Sequence, residues 1–108
     1  MLFKSIRIGD LTFEVLPFDK GGVEDRTKYG HYDLQTQEIR FTPGCTDEHM
    51  VNIMIHEVMH GCYKHACLED GDEEERVVRS MANVFAEVLR SNPEFSKWLE
   101  STLKRIRK

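Results

Sequence analysis

No run of 18 apolar residues occurs in this 108-residue chain, and no long apolar segment lies near its N-terminus. Neither membrane spanning nor secretion is therefore expected. Cysteine is scarce and odd in number: Cys45, Cys62 and Cys67 suit free thiols in a reducing compartment better than a disulfide framework. Basic excess is also missing. A net charge of −4 argues against a general nucleic-acid binder. The closing KRIRK does not reverse this, because basic residues at a helix C-terminus complement the helix dipole. There is no repeat, low-complexity segment or linker, so the expectation is one domain over residues 1–108, soluble and cytoplasmic. A hydrophobic fraction of 40% beside 31% charged residues fits an ordinary small globular core.

The first forty residues read as strands. In IRIGDLTFEVL, Gly9-Asp10 separates two alternating runs, as in a tight hairpin with Gly at its first central position. Leu11, Phe13 and Val15 share one face, and Thr12 and Glu14 the other. After a loop carrying Gly21-Gly22, YGHYDLQTQEIRFTPG predicts a second hairpin. Ile39 and Phe41 point inward there, and Pro43-Gly44 stops the strand.

From Thr46 the pattern turns helical. Thr46 is the predicted N-cap, Asp47 and Glu48 occupy the first turn, and the helix runs to about His65. A second helix starts near Glu73 with an apolar stripe of Val77, Val78, Met81, Phe85, Val88 and Leu89. A third opens at Asn92-Pro93, with Phe95, Trp98, Leu99, Leu103 and Ile106 as its expected buried side. Strands followed by helices give an α+β fold, with a small antiparallel sheet of two hairpins beside the first helix.

That first helix contains IMIHEVMHGCYK. His56 and His60 stand one turn apart and project side by side, a suitable bite for two imidazole nitrogens on one tetrahedral Zn²⁺. Glu57 lies about 100° round the helix. It is badly placed as a ligand and well placed to take a proton from water on the metal. Met54, Ile55, Val58 and Met59 surround the motif, so the histidines lie on a mostly buried helix, where unpaired imidazoles are costly.

A third ligand is needed. His65 lies about 180° from His56 and faces away. The extended H-E-x-x-H-x-x-G-x-x-H pattern also fails, with Tyr63 in place of its glycine and Ala66 in place of its third histidine. His49 is two turns back, about 10 Å along the axis, and suits a cap or rim position. Cys62 and Cys67 match no zinc-module spacing. The remaining candidates are Glu69, Asp70, Asp72, Glu73, Glu74 and Glu75, one of which can reach back from the start of the second helix. Tyr29, His31, Tyr32 and Tyr63 are candidates for steadying an oxyanion.

The stretch ERVVRSMANVF resembles the segment that follows H-E-x-x-H in the ImmA/IrrE-type metallopeptidases. There a glutamate lies three residues before a small or aliphatic residue and seven before an alanine, which on this chain is Glu75, ahead of Val78 and Ala82. Over nearly its full length the chain is also similar to short phage- and prophage-encoded zincin-like proteins. The matching segments are YGHYDLQTQEI, HEVMH, EERVV and SNP, with Ile55 where a leucine commonly stands. The resemblance implies a minimal gluzincin, a zinc metallopeptidase acting on a peptide or protein substrate such as a regulatory protein. Glu75 shares a face with Val78, Ala82 and Leu89, and small Ala82 permits close approach to the metal helix. The average direction of the apolar stripe points instead to Glu74, which stays the alternative. The substrate is expected to lie along an edge strand at Glu38–Thr42. Two rival readings remain: a zincin-fold binding protein without turnover, and a structural zinc domain closed by Cys62, His65 or Cys67.

Overall fold

The computed structural model describes residues 3–18, 29–66 and 71–107. The Gly21-Gly22 loop, Cys67, and the candidate ligands Glu69 and Asp70 lie outside the described residues, as does the side chain of Asp72. Four strands, β1 (Ser5–Ile8), β2 (Leu11–Pro17), β3 (Gly30–Asp33) and β4 (Glu38–Phe41), precede three helices, α1 (Asp47–His65), α2 (Asp72–Ser91) and α3 (Pro93–Ile106). The class is α+β.

Both hairpins form. Ile8 pairs with Leu11 across Gly9-Asp10, and Gly9 takes φ 64°, a conformation that costs a residue without a Cβ nothing. The β3–β4 turn is organised by Asp33, whose Oδ1 accepts from the backbone N–H of Gln35 (2.9 Å) and Thr36 (3.2 Å). The sheet, however, is mixed rather than wholly antiparallel. Its order is β1-β2-β4-β3, and β2 runs parallel to β4 with Val15 beside Ile39. Strand β4 is therefore interior, and among the described residues the free edges belong to β1 and β3. The expectation that residues 38–42 form the edge beside the cleft is corrected. Alternation sets which side chains face inward, but it is indifferent to which neighbour a strand pairs with.

Phe13, Val15, Ile39 and Phe41 from the sheet meet Ile53 and Met54 of α1 in the core, with Leu11 and Tyr32 packed against them. Phe13 and Tyr32 are in ring contact, centroids 5.2 Å apart. Helix α1 starts as expected, with Thr46 Oγ1 accepting from the His49 N–H at 3.2 Å. Gly61 lets α1 lie close to the sheet, because a Cβ there would press on Ile8 and on the Tyr32 ring.

Helix α2 packs on α1 through Val78, Ala82 and Ala86, all buried. Three residues of its expected stripe, Val77, Met81 and Phe85, are exposed instead. The stripe is there, but rotated from the contact line, because the small residues permit the closest helix approach. The correction is larger for α3. Among the described elements it packs on α2 alone, and none of its residues is buried. Phe95, Trp98 and Ile106 are exposed. Asn92 stands at the N-cap of α3 as expected, with Pro93 following, but its side chain makes no cap bond there: its Nδ2 donates to the Val88 carbonyl and closes the end of α2. An apolar face is legible in sequence, whereas what covers it is a tertiary property.

Ile39 is fully buried at 0% exposure, so Ile39→Ala is expected to lower the unfolding free energy by about 2–5 kcal/mol through lost burial and a residual cavity. Leu34→Ala, in the exposed β3–β4 turn, is expected to change it by less than about 0.5 kcal/mol. Urea titrations of the two variants check the contrast.

Candidate metal centre

The four-residue spacing on α1 brings the two histidines together: His56 Nε2 and His60 Nε2 lie 3.2 Å apart. Helix α2, held close by Ala82, lays the Glu75 carboxylate across them. Its Oε1 is 3.1 Å from His56 Nε2, and its Oε2 is 3.0 Å from His60 Nε2. Among the described residues, His56, His60 and Glu75 form a group able to hold a metal ion.

The donor set fits a cation. Ligand atoms about 2.0–2.2 Å from a tetrahedral ion stand roughly 3.3 Å from one another, close to the spacings seen here. Protonation is consistent with this. Burial holds the pKa of His56 below its ordinary value, with the His60 and Arg79 charges acting in the same sense and Glu75 opposing them. The 3.1 Å contact with Glu75 alone would suggest an imidazolium–carboxylate pair, but desolvation is the largest influence and favours the neutral ring. Neutral His56 brings a lone pair to the site.

Glu74 has a different task from Glu75. Its Oε2 is 2.7 Å from His60 Nδ1, and its Oε1 is 3.3 Å from Lys64 Nζ. A carboxylate at that distance accepts the Nδ1–H, which leaves the Nε2 lone pair of His60 directed at the ligand position. The adjacent glutamates thus act on opposite sides of one imidazole. The stripe of α2 that pointed to Glu74 marked a real site residue, though not the one facing the two Nε2 atoms.

Glu57 is the buried charged residue of α1, at 6% exposure. It does not belong to the three-residue metal group, yet it lines the same cleft, of about 1030 Å³. The floor of the cleft is α1, one wall is α2 at Glu74, Glu75, Arg79 and Asn83, and the other wall is the edge strand β3 from Gly30. Gly30 is where the strand passes Glu57. A Cβ there would stand 2.8 Å from both Glu57 Oε2 and Ile53 Cγ2.

His65 is away from the centre, its imidazole packed over Gly9 in the β1–β2 turn. His49 is at the cleft rim, in edge contact with Tyr29 at 4.5 Å. His31 and Tyr32 also line the cleft, whereas Tyr63 is not among its lining residues. Tyr32 lies over His60 with ring centroids 6.5 Å apart, and burial raises its pKa. Cys45 and Cys62 are free thiols outside the metal group. Sequence reasoning missed Lys64 and Arg79. Each follows a site residue by one helical turn, His60 and Glu75 respectively, and that spacing was the available signal. No protein-family model, curated protein or solved structure matches this chain.

Two outcomes follow from this geometry. Glu75→Ala removes a candidate ligand and is expected to lower affinity for a divalent transition metal more than Glu74→Ala, which removes the His60 support and costs about 10- to 100-fold. Competition against a chelator of known affinity gives the order. Gly30→Ala is expected to displace Glu57 and Ile53 and to destabilise the fold by about 1–3 kcal/mol, read from thermal or urea unfolding.

Proposed function

We propose that the chain is a zinc metallopeptidase that hydrolyses peptide bonds in a protein substrate. His56, His60 and Glu75 hold the ion, and Glu57 is the general base. The observation that carries this reading is the position of Glu57, buried in the floor of the same cleft but outside the ligand group. A purely structural ion has no use for a base there, nor for a cleft of this size. Two imidazoles and one carboxylate, with no cysteine, suit zinc in a catalytic setting, where three protein ligands leave a position open.

Zinc at such a site polarises a carbonyl and acidifies water. The protein's own groups do the rest. Glu57 takes the proton as water oxygen attacks the carbonyl carbon, then returns it to the departing amide nitrogen as the C–N bond breaks. Glu74 holds His60 in one tautomer and orientation. Tyr32, kept protonated by its raised pKa, is a hydroxyl donor in the cleft wall. The free edge of β3, rather than β4, offers main-chain groups to an extended peptide.

The resemblance of ERVVRSMANVF to ImmA/IrrE-type metallopeptidases supports a regulatory protein as substrate. No helix among the described residues is long and apolar enough to cross a membrane.

Purified protein is expected to carry about one zinc per chain by elemental analysis. Glu57→Gln keeps size and leaves the three ligands in place, so zinc content and melting temperature should hold while proteolysis falls about 10²- to 10⁴-fold. Equal cleavage by wild type and variant at matched zinc occupancy would remove the hydrolytic mechanism and leave a metal-binding protein that acts by association.

A further inference from the structure

Helices α2 and α3 carry an apolar surface that is exposed among the described residues. Met81, Val84 and Phe85 of α2 and Phe95, Trp98 and Ile106 of α3 are all exposed, Trp98 at 58% and Ile106 at 70%. On each helix the spacing is that of one face: 81, 84 and 85, then 95, 98 and, two turns on, 106. Phe95 and Trp98 stack, with centroids 6.3 Å apart, so the patch is organised rather than scattered. A 14-residue helix is marginal in water by itself. Among the described elements, helix α3 nevertheless touches only α2, and it buries no residue.

We infer that this face pairs with the same face of a second copy of the chain, forming a two-fold dimer in which α3 packs antiparallel on its counterpart. Area counts in its favour. Phe85, Phe95 and Trp98, exposed at 40%, 42% and 58% on side chains of about 150–250 Å², present roughly 300 Å² of apolar surface, to which Met81, Val84 and Ile106 add, toward the ~800 Å² per partner of a standard interface. The charge pattern is self-complementary as well. Helix α3 has Glu94 in its first turn and Lys104 and Arg105 in its last. These charges suit the helix's own dipole, and across a two-fold axis they also suit each other. Antiparallel pairing centred between Leu99 and Glu100 brings Glu94 of one copy opposite Arg105 of the other. Two α2–α3 pairs joined in this way make a four-helix arrangement. The metal cleft is built from α1, β3 and the first half of α2, so the dimer does not depend on the peptidase reading.

Sedimentation velocity of the full chain over a range of micromolar concentrations tests the inference. The expected result is a concentration-dependent rise to twice the 12.7 kDa chain mass. Trp98→Glu should leave a single-chain mass, with unchanged helix content by circular dichroism and unchanged metal binding. Glu94→Lys should raise the dimer dissociation constant about tenfold, and adding Arg105→Glu should restore it. A single-chain mass at every concentration, whether or not the protein binds anionic lipid vesicles, overturns the inference. So does a dimer indifferent to Trp98→Glu. Failure of the double charge swap to restore association overturns the antiparallel arrangement.

Discussion

The close approach of α2 to α1 along Val78, Ala82 and Ala86 sets the distance at which Glu75 meets the two histidines. A larger residue at position 82, which has 0% exposure, would hold the helices apart, and a carboxylate side chain has little slack with which to compensate. The two imidazole Nε2 atoms stand 3.2 Å apart, and each meets a different oxygen of Glu75, Oε1 at 3.1 Å from His56 and Oε2 at 3.0 Å from His60. Electron-rich atoms at that spacing repel unless a proton or a cation lies among them, and burial disfavours the proton on His56. The packing of two small-residue helix faces therefore creates a group able to hold a metal ion.

A second close approach acts on Glu57. Gly30 in β3 and Gly61 in α1 remove side chains where strand and helix pass, so the sheet edge, the helix and the buried carboxylate share one small volume. Helix α1 thus does two things at once. Its His56–His60 face meets α2, and its Ile53–Glu57 face meets the sheet edge. The motif H-E-x-x-H divides its residues between these faces because a helix turns about 100° per residue.

Helix α3 belongs to neither arrangement. It contributes nothing to the cleft and nothing to the core, and its apolar face is exposed. Because α3 shares no residue with core or cleft, changes to its surface and changes to the cleft should act independently.

Much of this was determined by the sequence alone. Thr46 as a cap, the hairpin at Gly9-Asp10, the inward faces at Phe13, Val15, Ile39 and Phe41, and the pairing of His56 with His60 all depend on contacts within a few residues. Local spacing fixes local geometry. What the tertiary structure decided are relations between segments distant in the chain. The parallel pairing of β2 with β4 moved the free edge to β3, although alternation was compatible with either neighbour. Sequence favoured Glu75 and kept Glu74 as the alternative, because the two are consecutive on one helix and the apolar stripe pointed to Glu74. Only the rotation of α2 on α1 gave one of them His60 Nδ1 and the other the two Nε2 atoms. The apolar face of α3 was legible while its exposure was not, because periodicity records which side of a helix avoids water and carries no information about what lies opposite.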